Sequence, residues 1–492
     1  MGGEWPLVNL GDLIEVTTGF PFKSSQYSTN NKGFKLLRGD NVVQGTFRWE
    51  NVKLWPKTEL TDKHNAYWLQ ENDVILAMDR PWIEAGLKTS QIKKYDIPCL
   101  LVQRVASLRA TEGLDQNYLR YVISSYWFVE YVKSVQTGTA VPHISPTQIK
   151  SFEFKLPSTQ EQKAIAHILG SLDDKIEINR RMNTTLEAMA QALFKSWFVD
   201  FDPVIDKALA AGNPIPESFH KRAEARKALS KRRKPLPADI AQHFPDRFVF
   251  NEEMGWVPDG WKICPLKSIT TELRRGISPK YVDVGGVRVV NQKCIRDHTV
   301  NYCLTRRNDK TKRKINGREL MVGDVLVNST GVGTLGRMAQ ILCLDETTVV
   351  DSHVTVVRSS NDIYKPYTFA RMILSLEPKI EAMGEGSTGQ TELSRANLQE
   401  ITVLAPPLNC QKGIERILFN NAQKMVVLSK DNELLTSLRD TLLPKLLSGQ
   451  LRIPNAENFF KDADKALQFE EAAQVDEEWL DAPLSDDEVC NS

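Results

Sequence analysis

This 492-residue chain has seven cysteines and no C-x-x-C pair, which excludes a zinc ribbon and a disulfide framework and points to a reducing compartment. It has no window approaching 18 apolar residues and no basic-then-apolar opening, so a membrane span is excluded and a cytoplasmic location is expected. Catalytic signatures are also missing: there is no Walker A lysine, no H-E-x-x-H and no Asn-Pro-Pro-aromatic tetrad. Gly331, Gly333 and Gly336 form a G-x-G-x-x-G, but Arg337–Leu342 reads as a strand where a dinucleotide site needs a helix, so a hairpin turn is expected. Phe201-Asp202-Pro203 reads as a helix stop, and the spacing of Cys294, His298 and Cys303 suits no common metal-ligand set.

Net charge is nearly absent too, with Lys+Arg 63 against Asp+Glu 62, but it is segregated rather than diluted. The stretches 221–234 and 305–319 are basic and 457–492 is acidic, a distribution compatible with a polyanionic partner.

What the chain does have is a repeat. Leu156-Pro157, Ile165, Ile168, Leu169, Leu186 and Leu193 recur 249 positions later as Ala405-Pro406, Ile414, Ile417, Leu418, Leu435 and Leu442. More loosely, Trp5 and Leu10 match Trp261 and Leu266, and Asn72-Asp73-Val74-Ile75-Leu76 matches Gly323-Asp324-Val325-Leu326-Val327. Residues 1–157 and 251–406 read as two α+β globules, with strands at 74–77 and 100–108 and a helix at 119–135 in the first. The second has strands at 288–291, 325–328, 337–342 and 354–358 and a helix at 367–383.

Each globule precedes a long helix. Over 160–199 an apolar stripe runs through Ile165, Ile168, Leu172, Ile176, Met182, Leu186, Met189, Leu193 and Trp197. The copy over 407–450 has Asn421 and Asp431 where the first has Leu172 and Met182, and Leu428 where it has Asn179; this exchange favours pairing of the two helices with each other. Pro203 should end the first helix and Pro444 kink or end the second. The remainder is a charged, proline-rich connector completing 158–250, whose aromatic residues should dock, and an acidic tail over 451–492 that reads as solubilising.

Antiparallel helices of about 35 residues, at about 1.5 Å per residue, form a spacer on the order of 50 Å. They would relate the globules by an approximate two-fold axis, which matches the symmetry of duplex DNA. Here the chain resembles the specificity subunits of type I restriction–modification systems. The resemblance is carried by the openings at Trp5 and Trp261, the Asp73 and Asp324 strands, Pro157-Ser-Thr-Gln160-Glu161-Gln162, and the closing Leu442-Leu-Pro-Lys-Leu-Leu-Ser-Gly449. It implies two target recognition domains reading a bipartite DNA site, held apart by a coiled-coil spacer. It further implies a non-catalytic chain that binds two modification subunits and joins motor-nuclease subunits. S-adenosylmethionine, ATP and Mg would belong to those partners, with no cofactor, metal or membrane for this chain.

Base and phosphate readers should be groove-facing cations. In the first globule the candidates are Lys23, Lys35, Arg38, Arg80, Lys88, Lys93 and Lys94. In the second they are Arg274, Arg275, Lys280, Arg306, Arg307, Lys312, Arg313, Lys314 and Arg337, with 306–314 as the leading cluster. Phe194, Trp197, Phe198 and Phe201 exceed what a two-helix seam consumes, so with Leu443, Leu446 and Leu447 they are candidates for docking a modification subunit. Two alternatives stay open: a tandem protein-binding scaffold without DNA readout, and a fused restriction–modification enzyme, which 492 residues would hardly accommodate.

Overall fold

The computed structural model describes residues 4–29, 32–83, 86–138, 141–229, 236–331, 333–384 and 392–453. The expected acidic tail, apart from residues 451–453, and the end of the 221–234 basic run lie outside them. The chain divides into two compact units, one built from 1–177 with 433–492 and the other from 178–432.

The central sheet of the first unit is antiparallel, in the order Ile14–Thr18, Val105–Ala110, Val74–Ala77, Thr89–Gln91. The second unit repeats that order with Thr270–Arg275, Val354–Ser359, Val325–Asn328 and Met338–Gln340. A smaller sheet in each unit combines one parallel and one antiparallel neighbour: Phe34–Leu37 between Cys99–Leu101 and Leu54–Trp55, and Val287–Val290 between Thr348–Val350 and Arg306–Asn308. Each chain of elements is closed by a two-stranded pair, Leu7–Asn9 with Glu153–Lys155 and Lys262–Pro265 with Thr402–Ala405. The expected single strand at 100–108 is two, because Gln103 and Arg104 form a turn between them. The expected helices at 119–135 and 367–383 are each divided. Ser125 caps the second piece of the first, and Pro378 opens the second piece of the other, where its missing N–H does no harm.

Two deeply buried carboxylates repeat the same contact. Asp73 receives Arg109 through Nε (2.6 Å) and Nη2 (2.7 Å), and Asp324 receives Arg358 through the same atoms at 2.6 and 2.8 Å. The matching Arg Nη2 atoms also reach the carbonyls of Trp68 and Glu319, so each pair pins a loop onto the sheet.

The long helices are Thr159–Phe198 and Leu408–Leu447. A reciprocal cap between Ser158 and Glu161 starts the first. In the first unit the two helices run antiparallel: Asp173 accepts from Arg439 at 3.0 Å, and Glu161 near the start of the first accepts from Arg452, just past the end of the second, at 2.8 Å. In the second they do so again, with Asn179 donating to Asn432 at 3.1 Å and Asn183 to Ser429 at 3.2 Å. Asn179 is therefore satisfied by a polar partner on the other helix, which fits pairing between unlike copies. The stripe is narrower than its sequence suggested, since Met189 and Leu438 are 57% and 47% exposed. Pro203 does not stop the first helix; it sits in the first turn of the next one, Asp202–Ala211, after Phe201 turns left-handed. Pro444 does not end its helix, which continues to Leu447.

A buried glutamine fastens each globule to its helix. Gln162 accepts the Asp115 N–H (2.7 Å) and donates to the carbonyls of Gly113 and Pro157 (both 3.0 Å). Gln411, 249 positions on, accepts the Lys365 N–H (2.8 Å) and donates to Ile363 (3.0 Å) and Pro406 (2.8 Å). Both side chains use the amide's donor and acceptor together, as burial requires.

Candidate nucleic-acid interface

The end of the central strand is built alike in both units. In the first, Ala77 N–H donates to Lys88 O (3.0 Å), Met78 to Arg104 O (2.9 Å) and Ile144 to Met78 O (2.9 Å). In the second, Asn328 donates to Arg337 O (2.9 Å), Ser329 to His353 O (2.8 Å) and Leu393 to Ser329 O (2.8 Å). Lys88 and Arg337, nominated separately from the sequence, thus occupy equivalent positions. Gly331, Gly333 and Gly336 all have positive φ in the turn between Val325–Asn328 and Met338–Gln340, so the glycine motif is the expected hairpin turn.

Among the first-unit candidates, Lys23, Arg80 and Lys94 are exposed and make no side-chain ion pair among the described residues. Arg38 is paired with Asp40 (3.3 Å), and Lys93 with Asp174 of the long helix (3.5 Å). Lys35 lies over the Trp49 ring at 4.6 Å. Lys88 is half-buried, and burial holds its ammonium below the ordinary lysine value.

The second unit gathers its candidates by strand register. Arg306–Asn308 pairs with both Tyr281–Val282 and Val287–Val290, the Lys280 N–H donates to Asn308 Oδ1 (2.9 Å), and Asn308 Nδ2 donates to the carbonyl of Arg313 (3.1 Å). One hairpin edge therefore carries Lys280, Arg306, Lys312, Arg313 and Lys314, with the Arg306 guanidinium 3.4 Å from the Tyr281 ring centroid. Lys280, Arg313, Lys314 and Arg337 have no ion-pair partner among the described residues. Arg307 is held by Glu346 (2.9 Å), Arg275 by Glu392 (2.6 Å), Arg274 by Glu272, and Lys312 lies 3.7 Å from Asp309. From the 221–234 run, Arg222 and Arg226 are spent on Asp202 and Asp206.

The aromatic candidates for subunit docking are not a docking surface. Phe194, Trp197, Phe198 and Phe201 are only 4–7% exposed, because the connector folds over them. Phe244 packs on Trp197 (5.6 Å), and Phe219 and Phe248 on Phe201 (5.8 and 6.2 Å). Leu446 and Leu447 are likewise buried, in the core of the first unit, with Leu443 packed against it.

His298 is an electrostatic clasp. Its Nε2 lies 2.6 Å from Glu377 and its Nδ1 3.5 Å from Glu187, which Arg371 also engages. Among the described residues no three His, Cys, Asp or Glu side chains form a metal-holding group. The carboxylates of Glu187 and Glu377 raise His298 from 6.5 to about 9, while burial of Glu187 is outweighed by His298 and Arg371, which hold it at about 2. The His298 contribution is present in full below pH 6.5 and is lost as pH rises through about 9; the Glu187 contribution is present above 4.5 and is lost as pH falls through about 2. A displacement of this size is worth on the order of 3 kcal/mol. His298→Ala should therefore lower the melting temperature of the second unit at pH 6 and leave it nearly unchanged at pH 10. Equal losses at both pH values in thermal unfolding would show that packing, not charge, is at stake.

No helix among the described residues is long and apolar enough to cross a membrane. Residues 2–188 match the family model described as type I restriction modification DNA specificity domain. The chain is 33% identical over 185 residues to the MjaVIII specificity subunit of Methanocaldococcus jannaschii, covering 37% of this chain and 43% of that one. It is 32% identical over 191 residues to the Escherichia coli EcoAI specificity subunit, covering 39% and 31%, so it spans less than half the length of these two relatives. With the HindI specificity subunit of Haemophilus influenzae it shares 27% identity over 372 residues, covering 68% of this chain and 77% of that one. A crystal structure of the type I S subunit from M. genitalium aligns over 90% of this chain and 96% of that one, at 15% identity and a TM-score of 0.49. The first part of the chain, residues 2–188, is thus similar to a DNA specificity domain. By these matches the chain is similar to specificity subunits of type I restriction enzymes.

Proposed function

We propose that this chain reads an asymmetric bipartite DNA target, one globule to each half-site, and recruits the modification and motor-nuclease subunits of a type I complex. S-adenosylmethionine, ATP and Mg are assigned to those partners. The long paired helices set the distance between half-sites. The reading rests on one observation above all: two units share a hydrogen-bonded frame at the end of the central strand while their exposed cations differ, as a reader of two unlike sequences on one duplex requires.

Each phosphate contact contributes about 0.9 to the slope of log affinity against log salt. Replacing Lys280, Arg313, Lys314 and Arg337 together by Gln, in the full chain with its modification subunits, should lower that slope by roughly 3–4. A parent complex with no steep salt dependence toward duplex DNA would instead identify a protein scaffold.

A further inference from the structure

Three positions beside the shared frame carry different chemistry in the two units. Asp79 bridges antiparallel to His143 as Thr330 does to Glu392, and Arg104 enters its strand where His353 enters the equivalent one. In the first unit Asp79 stands between two nitrogen partners: Oδ2 accepts from Arg104 Nη1 at 2.5 Å and Oδ1 faces His143 Nδ1 at 2.7 Å. Burial raises the Asp79 carboxyl, but these two partners bring it below its ordinary value, so it is a fixed anion. Arg104 itself has a left-handed backbone, φ 67, rare for a residue with a side chain, and its side chain is 66% exposed. With Nη1 braced, the Nε/Nη2 edge has no partner among the described residues. That is the edge with which Arg109 grips Asp73 inside the protein, and its two parallel donors fit the O6 and N7 acceptors of guanine.

In the second unit the brace is a hydroxyl. Thr330 Oγ1 donates its one proton to Gln292 Oε1 (3.1 Å), so at 2.8 Å it must accept from His353 Nδ1–H. In the neutral ring that places the proton on Nδ1 and leaves the exposed His353 with a bare Nε2 lone pair, an acceptor. Glu392, the third member, is spent on Arg275. An acceptor in the major groove selects an exocyclic amino group.

We propose that Arg104 and His353 are base readers at equivalent points of the two half-sites, Arg104 taking guanine and His353 the amino group of adenine or cytosine. This rests on the DNA-reading function above. It explains how one frame reads two sequences: a braced double donor in one unit is replaced by a braced acceptor in the other.

The test uses the full chain assembled with its modification subunits and a duplex target in which each base pair is varied singly. The parent should prefer guanine at one first-half position by roughly 5- to 150-fold, the range of a good bidentate contact. Arg104→Ala should flatten that position alone, and Asp79→Asn should weaken it less. His353→Ala should flatten one position of the second half-site. Purine in place of adenine, or a pyrimidine lacking the amino group in place of cytosine, tells which base carries it: the substitution should weaken the parent and not the variant. Loss of affinity for all sequences alike, with the salt slope reduced by about one, would make Arg104 a phosphate contact and overturn the inference, as would an unchanged base preference. A parent complex without any sequence preference would defeat the proposed function itself.

Discussion

Gly276→Ala is expected to destabilise the second unit by about 3–5 kcal/mol, at or beyond the upper end of ordinary overpacking. A β-carbon there would lie 2.1 Å from the carbonyl oxygen of Val350 and 2.3 Å from that of Asp351. Neither oxygen belongs to a side chain that could swing away. Ile277 N–H donates to the Val350 carbonyl at 2.9 Å, and Gly276 N–H to Val354 O at 3.0 Å, so the crossing strands are tied at the point of contact. For a unit of this size the loss corresponds to a fall in melting temperature of about 6–20 °C. Gly19 stands at the same point of the first unit, its would-be β-carbon 2.2 Å from Val102 O, and Gly19→Ala should act alike. Gly39, with nothing within 4 Å, is the control, and Gly39→Ala should melt within a degree or two of the parent. Thermal unfolding of the full chain decides the matter; a Gly276→Ala protein as stable as the parent would mean that the strands separate freely there.

Asp324→Ala is expected to cost about 3–5 kcal/mol, the price of leaving a buried cation without its anion. Arg358 is 19% exposed at its side chain and cannot turn to water without abandoning Glu319 O. The double substitution Asp324→Leu with Arg358→Met should recover most of the loss, because the charge to be desolvated goes with its partner. In the first unit Asp73→Ala should cost less, since Arg109 is 34% exposed and reaches solvent more readily. Denaturant unfolding of the three variants beside the parent measures this. If the double variant is as unstable as Asp324→Ala, the pair contributes through its geometry rather than its charge balance.

These two effects show what could be read in the residues and what could not. The Asp-Val-Leu match at Asp73 and Asp324 identified equivalent strands, but the arginines that meet those carboxylates lie 36 and 34 residues further on, and only the fold brings them there. The helix stripe was legible in its steps of three and four, yet Met189 and Leu438 point to solvent because a paired helix hides only part of its circumference. Aromatic residues at the end of the first helix looked like surplus because their cover, Phe219, Phe244 and Phe248, comes from a connector without periodicity. The basic cluster at 306–314 was visible as composition. That Lys280 joins it depends on the pairing of Tyr281–Val282 with Arg306–Asn308, and that Arg104 and His353 correspond depends on two turns whose sequences share nothing.

The fastening glutamines carry a further consequence. Every hydrogen bond that Gln162 and Gln411 make is to a main-chain amide or carbonyl. Such an anchor is blind to side chains: any globule whose chain follows the same path presents the same N–H and C=O groups to it. Residues that face a ligand can therefore be rewritten wholesale without loosening the mount, so the attachment is a standard socket and the globule an interchangeable head.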